Sequence, residues 1–247
     1  MPQSKKILII ILTIIALAGL IVGVVVASHN QKPVICSGYE VRIVGNEKAM
    51  LTPKMVDEFI GQRKLNPKGM PCDSINLTRM ENELRTMPLA ASAECYILEN
   101  GKVVIEIRQR VPLFHVKTAI SDYCIDTEGH QMNTPKTLPD STFKVSGDVT
   151  LEYAIEGLYP VLNYLNQSRD FRGEFIRVQV EAGNQVMLAS RKYDYVVALG
   201  SAERYEQKLE KLTRFRQYDK KGDLQAQYQR IDLQYRGQIV CKKKITK

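Results

Sequence analysis

YQRIDLQYRGQIVCKKK, residues 228–244, alternates between apolar and polar side chains close to the end of the chain. Five apolar side chains occupy odd-numbered positions: Ile231, Leu233, Tyr235, Ile239 and Cys241. A period of two residues is typical of a β-strand with one buried face and one solvated face. We therefore predict one long strand here, either at the edge of a sheet or as a fully paired interior strand followed by a solvated tail. The lysines that follow it would discourage the edge from pairing with a copy of itself.

The composition is that of a chain that folds around a core. Of 247 residues, 44% are apolar and 25% are charged. The formal charge of +8 comes mostly from lysines near the two ends, at 5, 6, 32, 242–244 and 247. Without these seven, 28 basic and 27 acidic residues remain, and no basic stripe with interleaved aromatics is present. We therefore predict that the protein does not bind nucleic acid.

Residues 7–27, ILIIILTIIALAGLIVGVVVA, carry no charge. As a helix they span about 32 Å, the thickness of a bilayer core. Lys5 and Lys6 favour a cytoplasmic tail at 1–6 and place everything after the helix outside. A cleaved signal peptide is the alternative. Gly19, Gly23 and Ala27 share one face of this helix and are candidates for a contact with another membrane helix.

The rest of the chain divides into a linker at 28–38 and two folded regions. Residues 39–112 are predicted as strand, helix, helix, strand, strand; the first helix starts at Thr52-Pro53, and Asn100-Gly101 joins the last two strands. Residues 113–247 are predicted as a mainly antiparallel β domain with two helices. The fold class is therefore α+β.

Several short motifs along the chain form a recognisable series. They lie at 41–46 (VRIVGN), 87–93, 104–112, 123–129, 138–139, 147, 199–200, 208–209 and 231–235 (IDLQY). In this order they resemble the FtsQ/DivIB family of bacterial cell-division proteins, which have one membrane helix, a POTRA domain and a β domain. The chain departs from the family pattern at Gln109, where the family has Glu, and at Gln234, where it has Arg.

The resemblance implies a scaffold of the division machinery rather than an enzyme. It implies a single-pass protein of the bacterial inner membrane at the division site, with its C-terminal domains in the periplasm. The implied partners are FtsB/FtsL-like coiled-coil proteins and other septal proteins, with FtsB adding a strand along residues 231–241. The predicted contact residues are Tyr235, Arg236, Gly237, Gln238, Ile239, Val240 and Cys241.

Two other functions fit parts of the sequence. A membrane-anchored thiol hydrolase would use Cys124 with His115 or His130, although no strand-to-helix elbow accompanies the cysteine. A POTRA-type chaperone or transport module would need further POTRA units or a barrel. Five cysteines leave one or two disulfides open, and neither they nor the histidines have metal-ligand spacing. We predict no metal, no cofactor and no small-molecule substrate.

Overall fold

The computed structural model describes residues 13–22, 33–45, 50–218 and 227–244, and these form two sheets, each with its own hydrophobic core. The smaller unit consists of a three-stranded sheet and two helices. Its elements are β1 (Gly38–Val44), α1 (Pro53–Gln62), α2 (Leu77–Leu84), β2 (Ala90–Ile97) and β3 (Lys102–Gln109). Strand β3 lies in the middle, parallel to β1 and antiparallel to β2. The predicted order of strand, helix, helix, strand, strand is confirmed.

Side-chain caps start both helices of this unit. The Thr52 hydroxyl accepts a hydrogen bond from Met55 N at 3.3 Å, and Pro53 occupies the first helical turn, where its missing N–H costs nothing. Asn76 Oδ1 accepts one from Arg79 N at 2.8 Å. Each helix then buries its apolar stripe against the sheet, for example through Val56 of α1.

The larger sheet has nine strands in the order β12-β11-β10-β9-β8-β7-β4-β5-β6. Their bounds are β4 Pro112–Lys117, β5 Asp122–Asp126, β6 Gln131–Met132, β7 Phe143–Gly147, β8 Phe175–Glu181, β9 Gln185–Ser190, β10 Val196–Gly200, β11 Tyr228–Asp232 and β12 Val240–Lys243. Parallel pairing occurs where β4 meets β7, β7 meets β8 and β10 meets β11, and the other pairs are antiparallel. The sheet is therefore mainly antiparallel, as predicted.

Helices cover one face of this sheet and leave the other open. They are α3 (Leu151–Tyr153), a π-helical turn (Ala154–Leu158), α4 (Tyr159–Gln167) and α5 (Tyr205–Tyr218). The first three are continuous, although Pro160 lies among them. Tyr159 N bonds to the carbonyl of Ala154, five residues back, so a π-turn directly precedes the proline and the chain remains helical.

The C-terminal stretch corrects one prediction. The expected single strand at 231–241 is a hairpin, in which β11 ends at Asp232 and β12 begins at Val240. The connection turns at Gly237, whose φ of +72° favours glycine. Ile231 pairs with Cys241, and both of these odd-numbered residues face the core. A two-residue alternation is the same for one strand and for this hairpin, and Arg236-Gly237 is the turn signal that the alternation concealed.

The N-terminal region is described only in part. Residues 13–22 are helical, and Gly19 in this helix has open space around its Cα. In the described part of the chain, no helix is both long and apolar enough to cross a membrane. Most of the predicted membrane helix 7–27, including Gly23 and Ala27, lies outside the described residues, so that helix stays a prediction.

Candidate functional site

Strand β12 forms one edge of the large sheet. In the described ranges it pairs with β11 alone, and its other side meets no strand. Lys244 N bonds to the carbonyl of Gln227 at 2.8 Å, on the β11 side. Because alternate residues of a strand direct their N–H groups to opposite sides, the N–H groups of Cys241 and Lys243 point away from β11. The edge thus presents backbone donors to solvent.

The side chains of β12 divide between the two faces of the sheet. Cys241 packs against the hydrophobic core, together with Ile239 of the preceding turn. Val240 lies opposite Asp232 on the open face and is 45% exposed. Lys242 and Lys243 are exposed. A second chain lying beside β12 would therefore meet one apolar side chain and two positive charges.

Lys211 of α5 fixes the turn that leads into β12. Its Nζ donates to the carbonyl oxygens of Tyr235 at 2.6 Å, Leu233 at 2.8 Å and Gln238 at 3.4 Å. Three acceptors match the three donors of an ammonium group. Partial burial lowers the pKa of Lys211 below its ordinary value. One side chain thus ties three carbonyls of a seven-residue loop to the helix beneath it.

Two family models match this chain. The model described as FtsQ/DivIB, C-terminal related, matches residues 111–242, which is more than half of the chain. The chain belongs to the FtsQ/DivIB family. A POTRA-like domain model matches residues 34–108, the part that contains the three-stranded sheet. This is a family of non-enzymatic division scaffolds that interact with other division proteins. A search of curated proteins gives no match.

Two residues of the FtsQ/DivIB motifs, Gly200 and Gln234, lie against each other beside the β11–β12 hairpin. Gly200 has a φ of +73°, and a Cβ added to it would lie 2.4 Å from Cγ of Gln234, so the glutamine side chain lies over the glycine. Gln234 N also donates to Asp232 Oδ1 at 3.0 Å. Gln234, which replaces the family's arginine, thus helps to fold the turn.

The predicted contact residues occupy two kinds of position. Tyr235, Arg236, Gly237, Gln238 and Ile239 lie in the turn, and Val240 and Cys241 lie in β12. The Tyr235 side chain is about half exposed. Sequence reasoning missed Lys211. The available signal was its position three residues after Lys208 of the family's Lys-Leu motif, because residues three apart share a helix face.

The other long edges differ from β12. Side chains of α2 cover the outer side of β2: Glu81 Oε1 accepts from Cys95 N at 2.9 Å, and Arg85 donates to the carbonyl of Ala93 at 2.9 Å. Strand β1 is a second free edge within the described residues and pairs with β3 alone. Its charged residues are paired: Arg42 binds Glu40 at 2.9 Å, and Glu40 also binds Lys102 of β3 at 2.8 Å.

The residues of the hydrolase alternative are close together but poorly arranged for catalysis. His115 lies opposite Cys124 across β4 and β5, yet its Nε2 is 2.8 Å from Asp122 Oδ1. Cys124 is completely buried, which raises the pKa of its thiol to about 11. His130 is exposed and adjoins Asp126. A nucleophilic cysteine needs a lowered pKa and access to substrate, and Cys124 has neither.

Among the described residues, no group of three or more His, Cys, Asp or Glu side chains could hold a metal ion. The five cysteines are all free thiols in this structure. The groups that the site at β12 presents to a partner are backbone hydrogen-bonding groups and charged side chains.

Proposed function

We propose that this chain is a membrane-anchored scaffold of the bacterial division machinery that captures an FtsB/FtsL-like partner by strand addition along β12. The observation that carries the proposal is the outer side of β12, with the N–H groups of Cys241 and Lys243 directed at solvent. Membership of the FtsQ/DivIB family supports the division role. The uncharged run at 7–27 supports a single-pass anchor with the folded regions in the periplasm.

Strand addition suits a scaffold because it separates attachment from selection. Main-chain hydrogen bonds to the edge supply attachment, and side chains at alternate positions select the partner. Here Val240 and Lys242 face the open side of the sheet, and Cys241 faces the core. The lysines disfavour pairing between two copies of β12, because like charges would then lie next to one another.

The turn before β12 also has a role in the proposed strand addition. A strand that adds to an edge needs a partner edge already in the extended conformation, since ordering it at the moment of binding would lower affinity. Lys211 holds the turn at three carbonyls, which keeps Val240 in register with Asp232. We propose that the region 39–112 recruits further septal proteins and that the region 113–247 carries the β12 contact.

Lys243→Pro tests the proposal. Proline removes the outward N–H and places its ring on the open side, where an added strand would lie. The pairing with β11 does not use that N–H. We expect the full chain carrying Lys243→Pro to bind a co-expressed FtsB-like protein of the same organism at least tenfold more weakly.

Lys243→Gln is the matched control, because it removes the same charge and keeps the N–H. We expect it to bind the FtsB-like protein within about threefold of the unchanged chain, with both variants unfolding at the same temperature. If Lys243→Pro binds as tightly as Lys243→Gln, strand addition at β12 is wrong. If both variants lose the partner equally, the lysine charge rather than the edge carries the contact, which also contradicts the proposal.

A further inference from the structure

The open face of the large sheet carries a row of basic side chains in its centre. His115 of β4 pairs in register with Lys144 of β7, and Lys144 pairs with Arg177 of β8. The row continues through Ala189 of β9 and Val196 of β10. Neighbouring strands lie about 4.8 Å apart, so the three basic side chains are direct neighbours.

The two cations of this row, Lys144 and Arg177, lack a compensating anion in the part of the chain that the structure describes. Asp122 binds His115 at 2.8 Å and faces Lys117 across the β4–β5 pair. Its negative charge therefore lies at the His115 end of the row. Neither the side chain of Lys144 nor that of Arg177 forms a hydrogen bond or an ion pair with any residue in the described ranges. Like charges directly opposite one another on a sheet are destabilising. The body of the chain is nearly neutral, so this excess is local.

The row lines a groove with an apolar side. The groove has a volume of about 530 Å³, in the range of ligand sites. Its basic end is formed by His115, Lys117, Lys144 and Arg177. Its other end is formed by three half-buried residues, Met187, Ala189 and Val196. We call this surface the basic groove. It offers positive charge beside exposed apolar surface.

We propose that the basic groove binds an acidic, amphipathic peptide segment of a partner protein. Carboxylates of the segment would neutralise Lys144 and Arg177, and its apolar side chains would cover Met187 and Val196. The apolar end of the groove is the reason for choosing a peptide over a phosphate polymer or a free anion, which could use only the basic end. Guanidinium and ammonium groups bind carboxylates with charge-assisted hydrogen bonds.

This surface is separate from the strand-addition edge. Four strand spacings, about 19 Å, separate the cations of β8 from β12, and two spacings, about 10 Å, separate the apolar end at Val196 of β10 from β12. The basic groove also involves side chains on a sheet face, whereas β12 offers backbone groups at an edge. A partner could therefore occupy either surface without the other, and a failure of one proposal leaves the other standing.

Fluorescence anisotropy of labelled peptides with the full 247-residue chain tests this inference. The probe is a 14-residue helix-forming peptide of Glu and Leu with an apolar stripe. One matched peptide replaces Glu by Gln, and a second keeps Glu and replaces Leu by Ser. We expect binding of the Glu/Leu peptide only, with affinity falling at least tenfold in Lys144→Gln/Arg177→Gln. Inorganic polyphosphate should compete poorly.

Two further variants make the outcome decisive. Lys54→Gln/Arg79→Gln removes the same charge from exposed positions of α1 and α2, and it should bind the Glu/Leu peptide as the unchanged chain does. Lys144→Glu/Arg177→Glu should instead bind a Lys/Leu peptide, which also shows that the variant is folded. Equal binding of the Gln/Leu peptide, stronger binding of polyphosphate, or a failure of the charge reversal would each overturn the proposal.

Discussion

The Nζ of Lys211 lies 2.6 Å from the carbonyl oxygen of Tyr235, so a helix on the covered face of the sheet holds the turn that leads to the edge strand. This contact joins residues 24 positions apart. It makes the conformation of β12 depend on α5, although α5 is a helix and does not pair with β12. The position of the candidate edge is thus set by packing and by a single half-buried charge.

Lys211→Met should loosen this turn. Hydrogen bonds to a charged donor contribute about 1.5–3 kcal/mol, and methionine keeps the length of the side chain while removing all three. We expect hydrogen exchange at 233–243 to become at least tenfold faster while exchange in β8 and β9 is unchanged. Arg214→Met is the control, because its exposed ion pair with Glu210 contributes at most about 1 kcal/mol. Equal exchange in the two variants would contradict the role given to Lys211.

Gly147 should not tolerate a side chain. Its φ is +103°, and a Cβ added there would lie 2.0 Å from the backbone oxygen of Val180 in the neighbouring strand. Gly147→Ala should therefore cost more than about 3 kcal/mol or prevent folding, as measured by urea denaturation. Gly183→Ala is the control: its φ is +73° with nothing within 4 Å, so about 1 kcal/mol is expected. Similar losses in both variants would show that the close approach of β8 is not the cause.

The sequence predicts the order of the strands and helices better than it predicts the structure of the edge. Caps at Thr52, a turn at Asn100-Gly101 and alternating strands are local signals, and the structure bears out the elements that they predicted. The β11–β12 hairpin was missed because Ile231 and Cys241 are both odd-numbered, so the alternation continued across the turn. Periodicity reports which face a residue occupies, and it does not report where a chain reverses.

Long-range contacts account for the other omissions. Neither the three carbonyls around Lys211 nor the row from His115 to Arg177 can be found from sequence spacing, since each depends on the order of strands in the sheet. Strand order is a tertiary property. The crossover that places β7 between β4 and β8 is what brings Lys144 next to Arg177.

A buried ion pair attaches the end of α5 to the sheet. Arg216 donates to Glu174 through both terminal nitrogens, with one distance of 2.8 Å, and also to the hydroxyl of Tyr195 at 2.8 Å. Arg216→Met leaves the Glu174 carboxylate buried without its cation. We expect a loss of about 3–5 kcal/mol in the free energy of unfolding, measured by urea denaturation.

Arg216→Met/Glu174→Gln should recover part of this loss, because the remaining group is then neutral. If Arg216→Met lowers the free energy of unfolding by less than about 1 kcal/mol, the pair contributes no more than an ordinary surface ion pair, and this account is contradicted.

Cys124 should make stability fall at alkaline pH. Burial raises its pKa from the ordinary 9.0 to about 11, so the folded state holds a proton that the unfolded state releases. The stabilisation is complete below pH 9 and is lost as the pH rises from 9 to 11, by at most about 3 kcal/mol. Cys124→Ala should flatten this part of the stability curve relative to the unchanged chain. Parallel curves for the two proteins would contradict the buried thiol.

Amide hydrogen exchange of β12 in the presence of its partner tests the central claim most directly. The full chain is measured alone and saturated with the FtsB-like protein, at single-residue resolution. Strand addition predicts at least a hundredfold slowing at Cys241 and Lys243, whose N–H groups face the open side, and no change along β1. Slowing along β1 with unchanged exchange at Cys241 and Lys243 would place the partner on the other free edge and refute the account.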